Sequence, residues 1–194
     1  DVLEKVRDRA ANTMLHYRTM QQPGIDFLGM SIENRLITGR NMSSVANQYS
    51  KAKRLSELFG ISGQNMNFED RKWIAGWHSI LGINHFCPHL TLYSMKGHRK
   101  RDYPPTFSYQ QPYWKYNNKL EDYLGRIAYA ASVGTYQPQL LVISPLESEY
   151  IKGNDDGEFT SGMLKVLDAL QTKHYDYDVG DEQILADTAY VKGN

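Results

Sequence analysis

Residues 53–93 read KRLSELFGISGQNMNFEDRKWIAGWHSILGINHFCPHLTLY, and this stretch decides the fold class. Lys53 to Phe59 is a strand candidate with weak alternation, followed by the polar turn residues Ser62, Gly63, Gln64 and Asn65. The spacing then predicts a helix over Asn67 to Leu81. Asn67 can cap it, and Glu69 and Asp70 fall in its first turn, where the helix dipole favours anions. Trp73, Ile74, Trp77, Ile80 and Leu81 form an apolar stripe, and Gly82 suits the position just past the end. Ile83 to Tyr93 reads as a strand running into a loop, with Pro88 expected to end regular pairing because it has no N–H to donate.

The same alternation continues on both sides. Upstream, Val2, Val6, Ala10, Met14 and Tyr17 recur at helical spacing and predict an amphipathic helix over residues 2–19. Pro23-Gly24 breaks it, Ile25 to Gly29 (IDFLG) is a strand candidate, Ser31 to Arg40 reads as a loop, and Ser43 to Tyr49 as a short helix or turn. Downstream, Lys96 to Lys119 has no period but is rich in aromatics, which marks an ordered, functional loop more than a disordered one. Asn118 to Val133 is a helix, with Leu120, Tyr123, Leu124, Ile127, Ala128 and Ala131 on one side. Gln139 to Ser144 (QLLVIS) is a near-continuous apolar run, the pattern of a strand covered on both faces. Thr160 to Lys173 is a helix, His174 to Val179 a strand, and Asp181 begins a further helix. The residues Asn154 to Glu158 read as a polar turn, too short for a calcium loop. Helices alternating with strands mean an α/β fold with parallel sheets. The expected domain boundary is near residues 137–139.

Composition narrows the function. The chain has 194 residues, 22 basic and 22 acidic, and one cysteine. Zero net charge argues against a general nucleic-acid binder, and a lone Cys87 makes no internal disulfide. No apolar run approaches the ~20 residues that span a bilayer. The opening DVLEKVRDRA and the closing TAYVKGN suggest a fragment of a larger protein. No dinucleotide, phosphate-loop or serine-hydrolase motif is present, so no cofactor is expected.

Three constellations can carry chemistry. Glu57 follows a strand candidate, and a carboxylate at the carboxyl end of a parallel strand sits where α/β barrels place catalytic groups; a solvated surface glutamate is the plain alternative. His85 and His89 share one face of an extended strand, with Asn84 and Tyr93 nearby. Without a third ligand at fitting geometry they make no zinc site, so substrate contact or satisfied core histidines are the two readings. The loop carries Arg99, Lys100, Arg101 and Asp102 followed by Tyr103, Phe107, Tyr109, Gln111, Tyr113 and Trp114. Basic and aromatic residues together suit stacked bases, sugar faces or plain loop anchoring, and the neutral chain favours sugars over nucleic acid.

The run from Ser43 to Trp114 resembles bacterial glycosyl hydrolases, related to the family 106 rhamnosidase group and to β-galactosidase-type barrel enzymes. The resemblance rests on SE-x-FG (56–60), FED-x-KWI (68–74), GIN-x-F-x-x-H (82–89) and RKRDYPP…SYQQPYW (99–114), and it extends over about residues 20–190. It implies that residues 1–136 are the C-terminal portion of a (β/α)8 barrel and that 137–194 begin a flavodoxin-like domain of the β-galactosidase trimerisation type. IDFLG, KRLSE and INHFC would be barrel strands six, seven and eight. Glu57 would then be the seventh-strand carboxylate: the nucleophile in a retaining enzyme, an acid or base in an inverting one. Its partner, expected on the fourth strand, is not in this chain, so the fragment alone is not expected to hydrolyse anything. His85, His89, Tyr93, Arg101, Asp102, Tyr109, Gln111 and Trp114 are the substrate-pocket residues that the resemblance implies. The substrate would be a glycoside or oligosaccharide of plant or host glycans, with no nucleic acid or membrane partner and with room for a homo-oligomer through the C-terminal domain. The location would be the bacterial cytoplasm or periplasm. Two other readings stay open: a non-catalytic carbohydrate-binding or scaffolding remnant of the same fold, and a single-strand nucleic-acid binder acting through the loop.

Overall fold

The structure, a computed structural model, describes residues 12–32, 36–101, 105–152 and 158–189. It is an α/β protein with two parallel sheets. The elements in chain order are α1 (Thr13–Thr19), β1 (Gly24–Leu28), α2 (Leu36–Gln48), β2 (Leu55–Gly60), α3 (Phe68–Ile80), β3 (His85–Pro88), two 3-10 turns (Gly97–Arg101 and Trp114–Tyr116), α4 (Asn117–Ser132), β4 (Leu140–Ile143), α5 (Leu146–Lys152), α6 (Glu158–Thr172), β5 (Tyr177–Gly180) and α7 (Glu182–Thr188). The first part of the helix expected from residue 2, and most of the turn expected at 154–158, lie outside the described residues. No helix among the described residues is long and apolar enough to cross a membrane.

The chain divides into two compact units that interleave in sequence. One comprises Gly24–Ile32 and Ala52–Val133, and the other takes the remaining described residues. In the first unit β1, β2 and β3 form a three-stranded parallel sheet in that order. Alternation sorts the faces. Ile25, Phe27, Ser56 and Leu58 are buried, while the intervening Asp26 is exposed and Glu57 half-buried. The buried face packs on α3 and α4 through a core of Phe27, Leu58, Phe59, Met66, Ile74, Ala75, Phe107, Leu120 and Leu124.

The start of α3 is fixed locally. The Asn67 side chain accepts from the Asp70 backbone N–H at 3.0 Å, and the Asp70 carboxylate accepts from the Asn67 N–H at 3.1 Å. This reciprocal pair satisfies two N–H groups that the helix itself cannot. The buried face of α3 differs from the expected stripe: Arg71, Ile74, Ala75 and His78 are buried, whereas Trp73 is 51% and Ile80 72% exposed. The buried set follows i, i+3, i+4, i+7 spacing, but two of its four members are polar, so hydrophobicity alone turns the stripe toward Trp73 and Ile80; of the expected residues Ile74 and Leu81 are buried and Trp77 packs against the core.

In the second unit β4 and β5 pair in parallel, Leu140 opposite Tyr177 and Ile143 opposite Gly180. Helix α2 covers β5 and replaces the missing neighbour strand with side chains. The Val179 N–H donates to Ser44 Oγ at 2.8 Å, Gln48 Nε2 donates to the Val179 carbonyl at 2.8 Å, and Asn47 Nδ2 donates to Asp178 Oδ1 at 2.9 Å. Backbone groups at a sheet edge need such partners when buried. The first five residues of α2, Leu36 to Arg40, fall in the expected loop and Ser43 to Gln48 in the expected short helix or turn; the helix runs longer than its pattern shows, because its buried face includes Arg40, Asn41, Ser43 and Ser44 and has no apolar period. The apolar run at β4 was expected to be covered on both faces. Leu140, Leu141 and Ile143 are instead 42–45% exposed, while β5, the strand that α2 packs on, is buried throughout.

Candidate functional site

Glu57 is the third residue of the central strand β2, with Asp26 of β1 and Cys87 of β3 as its register partners. Parallel register aligns the three side chains in a row on the face turned away from α3 and α4. Beyond Glu57 the register shifts: Asp26 pairs with Glu57 but Leu28 pairs with Gly60, so β2 carries one extra residue. That bulge sends two consecutive side chains, Leu58 and Phe59, into the core. Phe59 takes φ 75°, a left-handed conformation that costs a residue with a Cβ roughly 1–2 kcal/mol. Burial of its ring, edge-on to Phe107 at 5.5 Å, offsets that cost. At Gly60 a Cβ would lie 2.7 Å from Leu28 Cδ2, the end of a flexible and partly exposed side chain. Bulges re-aim side chains beside active sites, and this one leaves Glu57 as the last charged group of β2 on the open face.

His89 joins it. The strand β3 ends at Pro88, and the His89 backbone N–H donates to the Leu58 carbonyl at 2.8 Å. Its ring Nδ1 comes within 3.8 Å of Glu57 Oε1, with both side chains partly exposed. An exposed pair of this kind contributes under about 1 kcal/mol to stability, so its meaning lies in placing an imidazole beside the carboxylate. His85 stands elsewhere: it opens β3 opposite Leu55, at the amino end of the strand.

The long loop after His89 is ordered by three sets of contacts. Phe107 and Thr91 tie its two limbs together, Thr91 Oγ1 donating to the Phe107 carbonyl at 2.7 Å. Gln64 Oε1, from the loop after β2, accepts from the Thr106 N–H and from Gln111 Nε2, each at 3.1 Å. Arg71 lies beneath, 1% exposed, with its guanidinium 4.7–5.1 Å from the ring centres of Phe68, Phe107 and Tyr113 and one N–H donated to Asn117 Oδ1 at 3.0 Å. Burial lowers the Arg71 pKa and raises that of Tyr113. Phe107 and Tyr113 therefore hold the loop in place. Tyr93 and Tyr109 project into solvent, and Trp114 is 38% exposed at the start of a 3-10 turn. Arg101 ends the other 3-10 turn, and Asp102 lies outside the described residues.

The structure thus brings together Glu57 and His89, and ties Gln111 to Gln64 on the loop that leaves β2. Sequence reading missed Asp26, Gln64 and Arg71. The signal for Asp26 was available in IDFLG, where Ile25 and Phe27 flank it in alternation. Among the described residues no three His, Cys, Asp or Glu side chains gather to hold a metal ion.

No protein-family model matches the chain, and no curated protein matches it. Among solved structures it is similar in fold to part of a rhamnosidase from Novosphingobium sp. PP1Y, with a TM-score of 0.69 at 14% identity. The match covers 93% of this chain and 17% of that one, so the chain spans about a sixth of its structural neighbour's length. At that identity the likeness is one of fold alone.

Proposed function

We propose that the chain is part of a glycoside hydrolase, that β1, β2 and β3 are successive strands of a (β/α)8 barrel, and that β4, α6 and β5 begin a flavodoxin-like domain. The observation that carries this reading is the uncovered face of the three-stranded sheet. Two helices pack on its other side, while this face presents Asp26, Glu57 and Cys87 in one row. In a closed barrel such a face lines the interior, and chemistry is done at its carboxyl end.

Glycosidic cleavage needs two carboxyl groups, one to protonate the leaving oxygen and one to attack the anomeric carbon or activate water. Glu57 is one of them in this reading. If the enzyme retains configuration, its carboxylate attacks the anomeric carbon and is then displaced by water. If it inverts, it exchanges a proton with the leaving group or the attacking water. Another barrel strand supplies the partner. His89 lies close enough to orient the Glu57 carboxylate, and Gln111, Tyr109, Trp114 and Tyr93 form the rim against which sugar faces and hydroxyls pack.

The test is hydrolysis of a panel of nitrophenyl glycosides, α-rhamnoside included, by the full-length protein and its Glu57→Gln variant. A loss of at least ~10³-fold in kcat with an unchanged melting temperature is expected. Turnover by the variant near that of the parent would reject the role of Glu57. No turnover of any glycoside by the parent, alongside sugar binding, would favour a non-catalytic carbohydrate-binding module.

A further inference from the structure

We infer that Asp26 determines substrate specificity at this same site, accepting hydroxyl hydrogens from a neutral sugar ring whose anomeric carbon lies at Glu57. The inference rests on the proposed glycoside hydrolase reading and deepens it.

Asp26 sits on β1 opposite Glu57 in register, one strand spacing away, about 4.8 Å between backbones. Its neighbours Ile25 and Phe27 are 9% and 2% exposed on the helix side, so alternation turns Asp26 to the face that carries Glu57. Among the described residues its carboxylate accepts no hydrogen bond and meets no cation. Interior positions of a closed barrel are filled by packed, mostly apolar side chains. An unpaired carboxylate there is costly, and a second one alongside costs more through repulsion. Such a pair fits an interior that receives a ligand rich in hydrogen-bond donors. An ionised carboxylate only accepts, and sugar hydroxyls are the matching donors. The spacing between β1 and β2 is comparable to the width of a pyranose ring, so a ring reaching Glu57 with its anomeric carbon offers Asp26 a hydroxyl farther round. Two aligned carboxylates also repel a uronate or a sulfated sugar, which makes the expected substrate uncharged at that ring.

Two aryl glycoside series separate this role from a structural one: the preferred sugar with each ring hydroxyl removed in turn, and its uronate. In the full-length protein Asp26→Asn should lower kcat/KM roughly 10- to 100-fold on the complete sugar and leave it unchanged on the one deoxy sugar that lacks the contacted hydroxyl. Asp26→Ser should do the same, and both should melt with the parent. The parent should reject the uronate and Asp26→Asn should accept it better. An equal loss on every deoxy sugar, no loss at all, or ready hydrolysis of the uronate by the parent would overturn the inference. If Glu57→Gln is inactive while Asp26→Asn behaves as the parent, this inference alone fails. If Glu57→Gln stays active, the role of Glu57 fails first, and if the parent hydrolyses no glycoside, the hydrolase reading does.

Discussion

Lowering the pH should destabilise the unit that holds the three-stranded sheet through one residue, His78. Its side chain is fully buried in α3, edge-on to Phe27 at 4.6 Å and to Trp77 at 4.9 Å. Nδ1 lies 2.7 Å from the Ile74 carbonyl, which only accepts, so that nitrogen carries the hydrogen and donates it. Nε2 is buried with no hydrogen-bond partner among the described residues. A proton there would put a charge into an apolar core, and burial drives the pKa from 6.5 down to about 4. The unfolded chain titrates near 6.5. Between that value and about 4 it therefore binds the proton that the folded chain refuses, so stability falls as pH falls through this window. The full contribution is present above pH 6.5, and no more is lost well below 4. A shift of that size at about 1.36 kcal/mol per unit corresponds to a loss of about 3 kcal/mol. Urea unfolding at pH 7, 6, 5 and 4 measures it, with His78→Phe as the non-titrating reference that keeps the aromatic packing. The difference between parent and variant should move by about 3 kcal/mol against the parent from pH 7 to pH 4. A difference that stays flat with pH, or a His78 ring that titrates near 6.5 by NMR, would refute the reasoning.

Three other outcomes follow from the geometry. Arg71→Lys should cost about 2 kcal/mol or more in thermal unfolding, because an ammonium cannot stack its plane among three rings while reaching Asn117. Gly60→Ala should change stability by under about 1 kcal/mol, because the atom its Cβ would meet, Leu28 Cδ2, ends a flexible, partly exposed side chain that can turn aside, and Leu28→Ala should remove what cost remains in a double-mutant cycle. The exposed thiol of Cys87 stands in the row with Glu57, so a competing sugar should slow its alkylation in the full-length protein, as followed by mass spectrometry.

The strand–helix–strand unit from β2 to β3 was legible because its signals are local. Asn67 and Asp70 cap α3 within four residues of each other, and Pro88 stops β3 where it stands in the chain. The parallel α/β class followed from alternation of the same kind. What stayed hidden depends on partners distant in sequence. Helix α2 has a polar buried face because Ser44 and Gln48 serve the edge of β5, more than a hundred residues away. The inner side of α3 is legible only in part, through Ile74, Trp77 and Leu81, because Arg71 and His78 share it, one among aromatic rings and one as a neutral imidazole. At the site, Glu57 could be singled out by the strand candidate beside it, although it lies within β2, third of its six residues, and not after the strand as expected. Its alignment with Asp26 and the approach of His89 depend on strand register and on the turn after Pro88, which spacing alone does not reveal.

The central claim is that the open face of β1, β2 and β3 receives a sugar with its anomeric carbon at Glu57. A crystal structure of the full-length protein with an iminosugar tests it most directly, because the cationic ring nitrogen mimics the charge that develops at the anomeric centre. The account predicts a Glu57 carboxylate oxygen about 2.6–3.2 Å from that nitrogen, with Asp26 accepting from a ring hydroxyl. An iminosugar bound away from this face, or Asp26 and Glu57 buried under packed side chains with no ligand between them, would contradict it.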